Sequence, residues 1–171
     1  MRDYDLHYLH MAIETARKAR EHGNHPFGAV LVDEQGRLLL EAGNTVVTGR
    51  DCTGHAETNL MRIASSELSP EALASCTLYT STEPCAMCSG AIFWGGVSRV
   101  VFALSEVGLL EMAAGPAGVG VDNEGRAGTR PAPTFLNLPC REVFSRGGRS
   151  IEVLGPLLVE EARKVHQGFW K

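Results

Sequence analysis

The chain has 171 residues, 44% apolar and 21% charged, the composition of an ordinary globular domain able to bury its own core. Its net charge of −4 argues against a phosphate-rich partner, and no run of about eighteen apolar residues is present to span a membrane. Five cysteines do not make a disulfide framework, and Met1-Arg2-Asp3-Tyr4 does not open a signal peptide, so the expected compartment is the cytoplasm.

Leu6, Leu9, Ile13 and Ala16 recur at helical spacing, with Asp5 as a start cap and Gly23-Asn24 as the stop. His7 and His10 on this helix read as surface or packing residues. The runs Ala29-Val30-Leu31-Val32 and Arg37 to Ala42 flank the turn Asp33-Glu34-Gln35-Gly36 and read as a hairpin, with Asn44 in the loop that follows. Thr53 is the expected N-cap of a helix from about Gly54 to Ser66, which puts His55 and Glu57 in its first turn. Ser69-Pro70 opens a short helical linker, and Cys76 to Ser81 reads as a strand. Pro84 suits the first position of a helix that runs from Cys85 to Trp94 and stops at Gly95-Gly96. Arg99 to Leu104 is the next strand and Ser105 to Met112 a short helix. Residues 113–134, rich in Gly, Ala and Pro, read as a long loop or lid. Ile151 to Leu154 is a late strand, and Pro156 opens a closing helix and tail over 156–171. The pattern is that of one domain over 1–171, an α/β sandwich on a mixed sheet.

His55, Cys85 and Cys88 supply one imidazole and two thiols, a set that zinc favours. Three protein ligands leave a fourth position for water, as catalytic zinc sites do and structural ones do not. Both thiols fall at a helix start, where unpaired N–H groups favour the thiolate. Glu57, two residues past His55, does not share its helical face and should approach from the side, in reach of that water. Cys52-Thr53-Gly54-His55 mimics a metal spacing, but a fourth thiolate would close the site and no second pair lies nearby. Cys76 and Cys140 read as packing or idle thiols.

His55-Ala56-Glu57 followed by Pro84-Cys85-Ala86-Met87-Cys88 resembles the zinc signature of the cytidine-deaminase-like deaminases. The resemblance covers most of residues 1–112. It implies a three-layer α/β/α sandwich with a mixed five-stranded sheet, one zinc ion per subunit with a water or hydroxide as fourth ligand, and a homodimer. It implies Glu57 as the proton carrier. It makes the backbone N–H of Ala56 and the side chain of Asn44 substrate contacts, with Phe27 against the base. Trp94 would wall the pocket or a subunit contact, and Phe169 in the terminal His166-Gln167-Gly168-Phe169-Trp170-Lys171 would help close an active site, its own or a partner's.

Pro26-Phe27-Gly28-Ala29-Val30, Thr80-Ser81-Thr82-Glu83-Pro84-Cys85 and Gly90-Ala91-Ile92-Phe93-Trp94 look like the bacterial guanine deaminase branch. The expected reaction is therefore hydrolysis of a small aminated heterocycle, guanine to xanthine and ammonia first, with cytosine, a pterin or another amino-heterocycle as alternatives. The acidic pair of that branch is missing: the matching stretch is Glu111-Met112-Ala113-Ala114-Gly115-Pro116, so Glu106 or Glu111 substitutes or the substrate is another base. Both glutamates also read as solvated helix residues. A tRNA adenosine deaminase and a non-catalytic, zinc-stabilised assembly protein are the rival readings. The tail Glu160-Glu161-Ala162-Arg163-Lys164 mixes charges and offers no basic stripe, so nucleic acid is not the expected partner.

Overall fold

A computed structural model describes residues 1–114, Leu136 and residues 138–170. The elements run α1 (Asp5–Glu21), β1 (Gly28–Val32), β2 (Leu38–Gly43), α2 (Val46–Gly49), α3 (Ala56–Glu67), α4 (Pro70–Ser75), β3 (Thr77–Thr82), α5 (Ala86–Gly95), β4 (Arg99–Leu104), α6 (Glu106–Ala114), α7 (Cys140–Ser145), β5 (Glu152–Leu154) and α8 (Val159–His166). The strands form one five-stranded sheet in the order β2-β1-β3-β4-β5. β1 pairs antiparallel with β2 and β3, whereas β3–β4 and β4–β5 are parallel, so the sheet is mixed as expected.

Side-chain alternation assigns the two faces. Ala29, Leu31, Leu78, Val100 and Phe102 point to the layer with Leu60 and Met61 of α3, Leu73 of α4, Ile92 of α5 and Phe144 of α7. Val30, Val32, Tyr79, Val101 and Ala103 point the other way, to Leu9, Ala12 and Ile13 of α1 and Ala162 of α8. All five residues of β1 and all six of β3 and β4 are buried, because helices cover both faces. Each fully buried aliphatic side chain in these layers contributes roughly 1.5–3 kcal/mol.

A buried ion pair ties α1 to the sheet. Asp5 is not the helix cap; Tyr4 occupies that position. Asp5 is fully buried and receives Arg99 Nη1 and Nη2 at 2.8 and 2.9 Å, and the Tyr79 hydroxyl at 2.8 Å. Burial by itself raises the Asp5 pKa, but the hydrogen bonds from Arg99, the Arg2 amide and Tyr79 outweigh it and hold the carboxyl at about 2.

Other boundaries shift for local reasons. His55, not Thr53, is the N-cap of α3, because the Thr53 amide and hydroxyl are taken by the Asp51 carboxylate at 2.8 and 2.7 Å. Cys85 caps α5 in an extended conformation (φ −63°, ψ 171°), so Pro84 lies one residue before the cap and not at the first helical position. Gly96, at φ 91°, ends α5 in the left-handed region, where glycine is strain-free. Pro156 lies outside α8, which begins at Val159. The short helices α2 and α7 were not expected. Helix α6 extends through Ala114, and the rest of the expected 113–134 lid lies outside the described residues.

Candidate metal centre and active site

The starts of α3 and α5 meet beyond the end of β3. His55 Nδ1 lies 3.6 Å from Cys85 Sγ and 3.6 Å from Cys88 Sγ, and the three ligand atoms all fall within 4.8 Å of one another. One ring nitrogen cannot serve two thiols well as a hydrogen-bond donor. A tetrahedral zinc ion with Zn–S near 2.3 Å and Zn–N near 2.0–2.1 Å would separate N and S by about 3.6 Å, so the donor set fits the metal. Hydrogen bonding from the Cys88 thiol, then from His55, pulls the Cys85 thiol pKa down to about 4 against the opposing effect of burial. The Thr58 hydroxyl sits 3.3 Å from Cys88 Sγ and is placed to support that sulfur. Cys52 is exposed and stands outside this group.

Glu57 is the second residue of α3 and only 5% exposed. Its Oε1 accepts a hydrogen bond from Thr80 Oγ1 at 2.7 Å. Burial pushes its pKa up, the Cys85 charge adds to that, and the Thr80 bond opposes both. A carboxyl so placed beside a metal site is suited to accept and return protons. Ala56 is the first residue of the same helix, where backbone N–H groups have no intrahelical acceptor.

Asn44 is 2% exposed; its Oδ1 accepts from the Val46 amide at 3.0 Å, while Nδ2 is buried with no hydrogen-bond partner. An orphan buried donor costs about 1–3 kcal/mol, a cost that a ligand carbonyl would remove. Phe27 lies 5.4 Å from the His166 ring and 6.1 Å from Trp170. Phe169 packs on His25 and Trp170 beneath the Arg20 guanidinium, so this tail docks on its own chain. Trp94 is 86% exposed at the outer end of α5, with Phe93 as its ring neighbour; it neither joins the core nor meets the tail cluster.

Thr80 was not read from the sequence as a site residue, and the burial of His166 and Glu106 was not read either. Thr80 touches Glu57 only through tertiary packing, and the resemblance of Thr80-Ser81-Thr82-Glu83-Pro84-Cys85 to the guanine deaminase branch gave it no role. His166 is 1% exposed and stacks on Trp170, whose Nε1 donates to His166 Nδ1 at 3.3 Å. Burial, then Arg20, pushes His166 down to about 4, so the ring is neutral and turns Nε2 towards Thr82 Oγ1 at 3.5 Å. Glu106 is not solvated: it is 3% exposed, with Oε2 lacking a partner. Burial, then the charges of Cys85 and Glu83, raises it to about 7. Its amide donates to Glu83 Oε2 at 3.2 Å, which draws the start of α6 against the end of β3. Glu111 is the solvated one, 3.6 Å from Arg163. A cavity of about 560 Å³ between α7 and β5 contains none of these residues, and its Arg141 is spent on the carbonyls of Val153 and Gly155.

A mixed five-stranded sheet between helical layers, with one imidazole and two thiols gathered at two helix starts beside a buried glutamate, defines a zinc deaminase. The chain belongs to the cytidine and deoxycytidylate deaminase zinc-binding family, whose sequence profile matches residues 2–104. It is 42% identical to a probable cytosine deaminase of Schizosaccharomyces pombe, over 97% of this chain and 92% of that one. Identity to the guanine deaminase of Bacillus subtilis is 46%, over 46% of this chain and 49% of the relative. The fold superposes on a solved tRNA A34 deaminase with a TM-score of 0.66 at 26% identity, covering 94% of this chain and 99% of the other. In the described residues no helix is long and apolar enough to cross a membrane.

Proposed function

We propose that the chain hydrolyses the exocyclic amino group of a free nucleobase, exchanging the ring C–NH2 bond for a C=O bond with release of ammonia. The observation that carries this reading is the buried Glu57 carboxyl beside the His55, Cys85 and Cys88 group. The zinc held by those three residues supplies an activated water when bound. Glu57 takes one proton from the attacking water and delivers it to the ring nitrogen; it then moves the proton of the added hydroxyl to the amine, so that ammonia leaves as the C=O bond forms. The Ala56 amide and Asn44 Nδ2 hold the ring carbonyl, and Phe27 lies against the base face. The tail bearing His166, Phe169 and Trp170 closes the pocket of its own subunit.

The full-length similarity to the S. pombe protein supports cytosine as the first base to test, ahead of the guanine expected from the sequence. The unpartnered, buried Glu106 Oε2 would accept a ring N–H, which free cytosine and free guanine both present. The net charge of −4 gives little support to a tRNA substrate. The homodimer draws its support from Trp94, which is 86% exposed on the helix that carries both cysteines.

The test is ammonia release by zinc-loaded protein from cytosine, guanine, adenine, a pterin and a tRNA anticodon stem. Glu57→Gln should keep zinc bound and lower turnover at least about 100-fold. An active Glu57→Gln variant would sink the mechanism; activity on the stem alone would move the chain to RNA editing. Bound zinc with no ammonia from any substrate would favour the non-catalytic assembly protein.

A further inference from the structure

Thr80 holds a place that neither the zinc signature nor the ligand set explains. It lies in the middle of β3, paired with Ala29 of β1 on one side and Phe102 of β4 on the other, so its backbone sits at the centre of the sheet. Its side chain shares the face of Leu78, the face against which α3 packs, and it is fully buried. The hydroxyl reaches Glu57 Oε1 at 2.7 Å and the carbonyl of Thr82 at 3.0 Å. A threonine hydroxyl has one proton, and an ionised carboxylate is the stronger of these two acceptors. The β-branched side chain is stiff about χ1, so the donor is aimed before any substrate arrives.

We propose that Thr80 is the positioning residue of the active site: it anchors Glu57 through Oε1, and thereby reserves Oε2 as the oxygen that carries the proton. The inference rests on the deaminase reading of Glu57. A carboxyl with two equivalent free oxygens would rotate between productive and unproductive orientations. One fixed by a donor on the central strand presents the same oxygen in every turnover, which is where orientation contributes to rate. The neighbouring threonines differ. Thr82 faces His166 Nε2, and Thr58 faces Cys88, so neither can replace this contact.

The experiment compares Thr80→Val, which keeps shape and removes the donor, with Thr80→Ser, which keeps the donor, in zinc-loaded full-length protein. Steady-state ammonia release is measured with cytosine and with guanine, beside Glu57→Gln as reference. Thr80→Val should lower kcat about 10- to 100-fold, part of what a general base contributes, with KM within about twofold and zinc content unchanged. Thr80→Ser should restore kcat to within a few-fold of the parent. Independently of turnover, the infrared carboxyl stretch of Glu57, isolated as the difference spectrum against Glu57→Gln, should lose its hydrogen-bond shift in Thr80→Val and keep it in Thr80→Ser. Parental kcat and an unshifted Glu57 band in Thr80→Val, with Glu57→Gln inactive, would overturn the positioning role and leave the deaminase reading standing. Full activity of Glu57→Gln would overturn both. Equal loss in the valine and serine variants would also overturn it, since packing and not the donor would then matter.

Discussion

The Asp5–Arg99 pair gives a sharp test of how the scaffold is held. Asp5→Ala removes a fully buried carboxylate that accepts two Arg99 bonds and the Tyr79 hydroxyl. Among the described residues, Arg99 keeps only the Glu152 carboxylate, whose side chain is 63% exposed, at 3.1 Å. Breaking one side of a buried pair costs about 3–5 kcal/mol, chiefly because the remaining charge is left without compensation. The carboxyl itself supports a value of that order. Held at about 2 where 3.8 is ordinary, it contributes about 2 kcal/mol when ionised. Because the folded pKa is the lower one, this contribution is complete above pH 3.8 and is lost as the pH falls through 2. A domain of this size has about 5–15 kcal/mol in all, so the loss should be plain in urea unfolding of zinc-loaded protein followed by circular dichroism. With a slope of about 1–3 kcal/mol/M, the midpoint should fall by more than about 1 M at pH 7. It should fall less at pH 2.5, where wild type has already lost part of the same contribution. A shift below about 1 kcal/mol at pH 7 would refute the account and put the weight on Glu152 and Tyr79.

Two further tests address the frame and the metal. In Gly28→Ala the new Cβ would lie 2.4 Å from Ala16 N and 2.5 Å from Ala12 O, so α1 must shift from the sheet; a loss of at least about 1–3 kcal/mol is expected in the same unfolding assay, and parental stability would show that α1 yields freely. Stripping zinc with a chelator should lower Tm and restore it on re-addition, by about 4 kcal/mol at a thousandfold excess over Kd, whereas an unchanged Tm would mean that the three ligands bind no ion in the folded chain.

The parts legible in the sequence were those whose chemistry is local. His55 and Glu57 share one helix start, Cys85 and Cys88 share another, and the spacing alone states which atoms converge. The strands read well because β1, β3 and β4 are continuous apolar or β-branched runs. What was not legible depends on partners distant in the chain. The contact of Thr80 with Glu57 spans 23 residues, and that of His166 with Thr82 spans 84. Glu106 reads as solvated on periodicity alone, but the Glu83 carboxylate receives its amide and carries it inside. The short α2 and α7 have too few residues to show a period. The cap of α3 moved because Asp51 competes for the Thr53 donors, a contest between neighbours that propensity does not resolve.

The tail described above docks on its own chain, with Arg20 Nη1 donating to the Val165 carbonyl at 2.7 Å and the terminal rings resting on His25 and Phe27. The metal ligands and Glu57 come from a separate, central stretch. Helix α8 packs against α1 and β4, and its last turn meets Phe27 and Thr82 through His166. Under the proposed function, exchanging the segment after Pro156 between related chains would alter the pocket wall formed by His166, Phe169 and Trp170 and leave His55, Glu57, Cys85 and Cys88 in place.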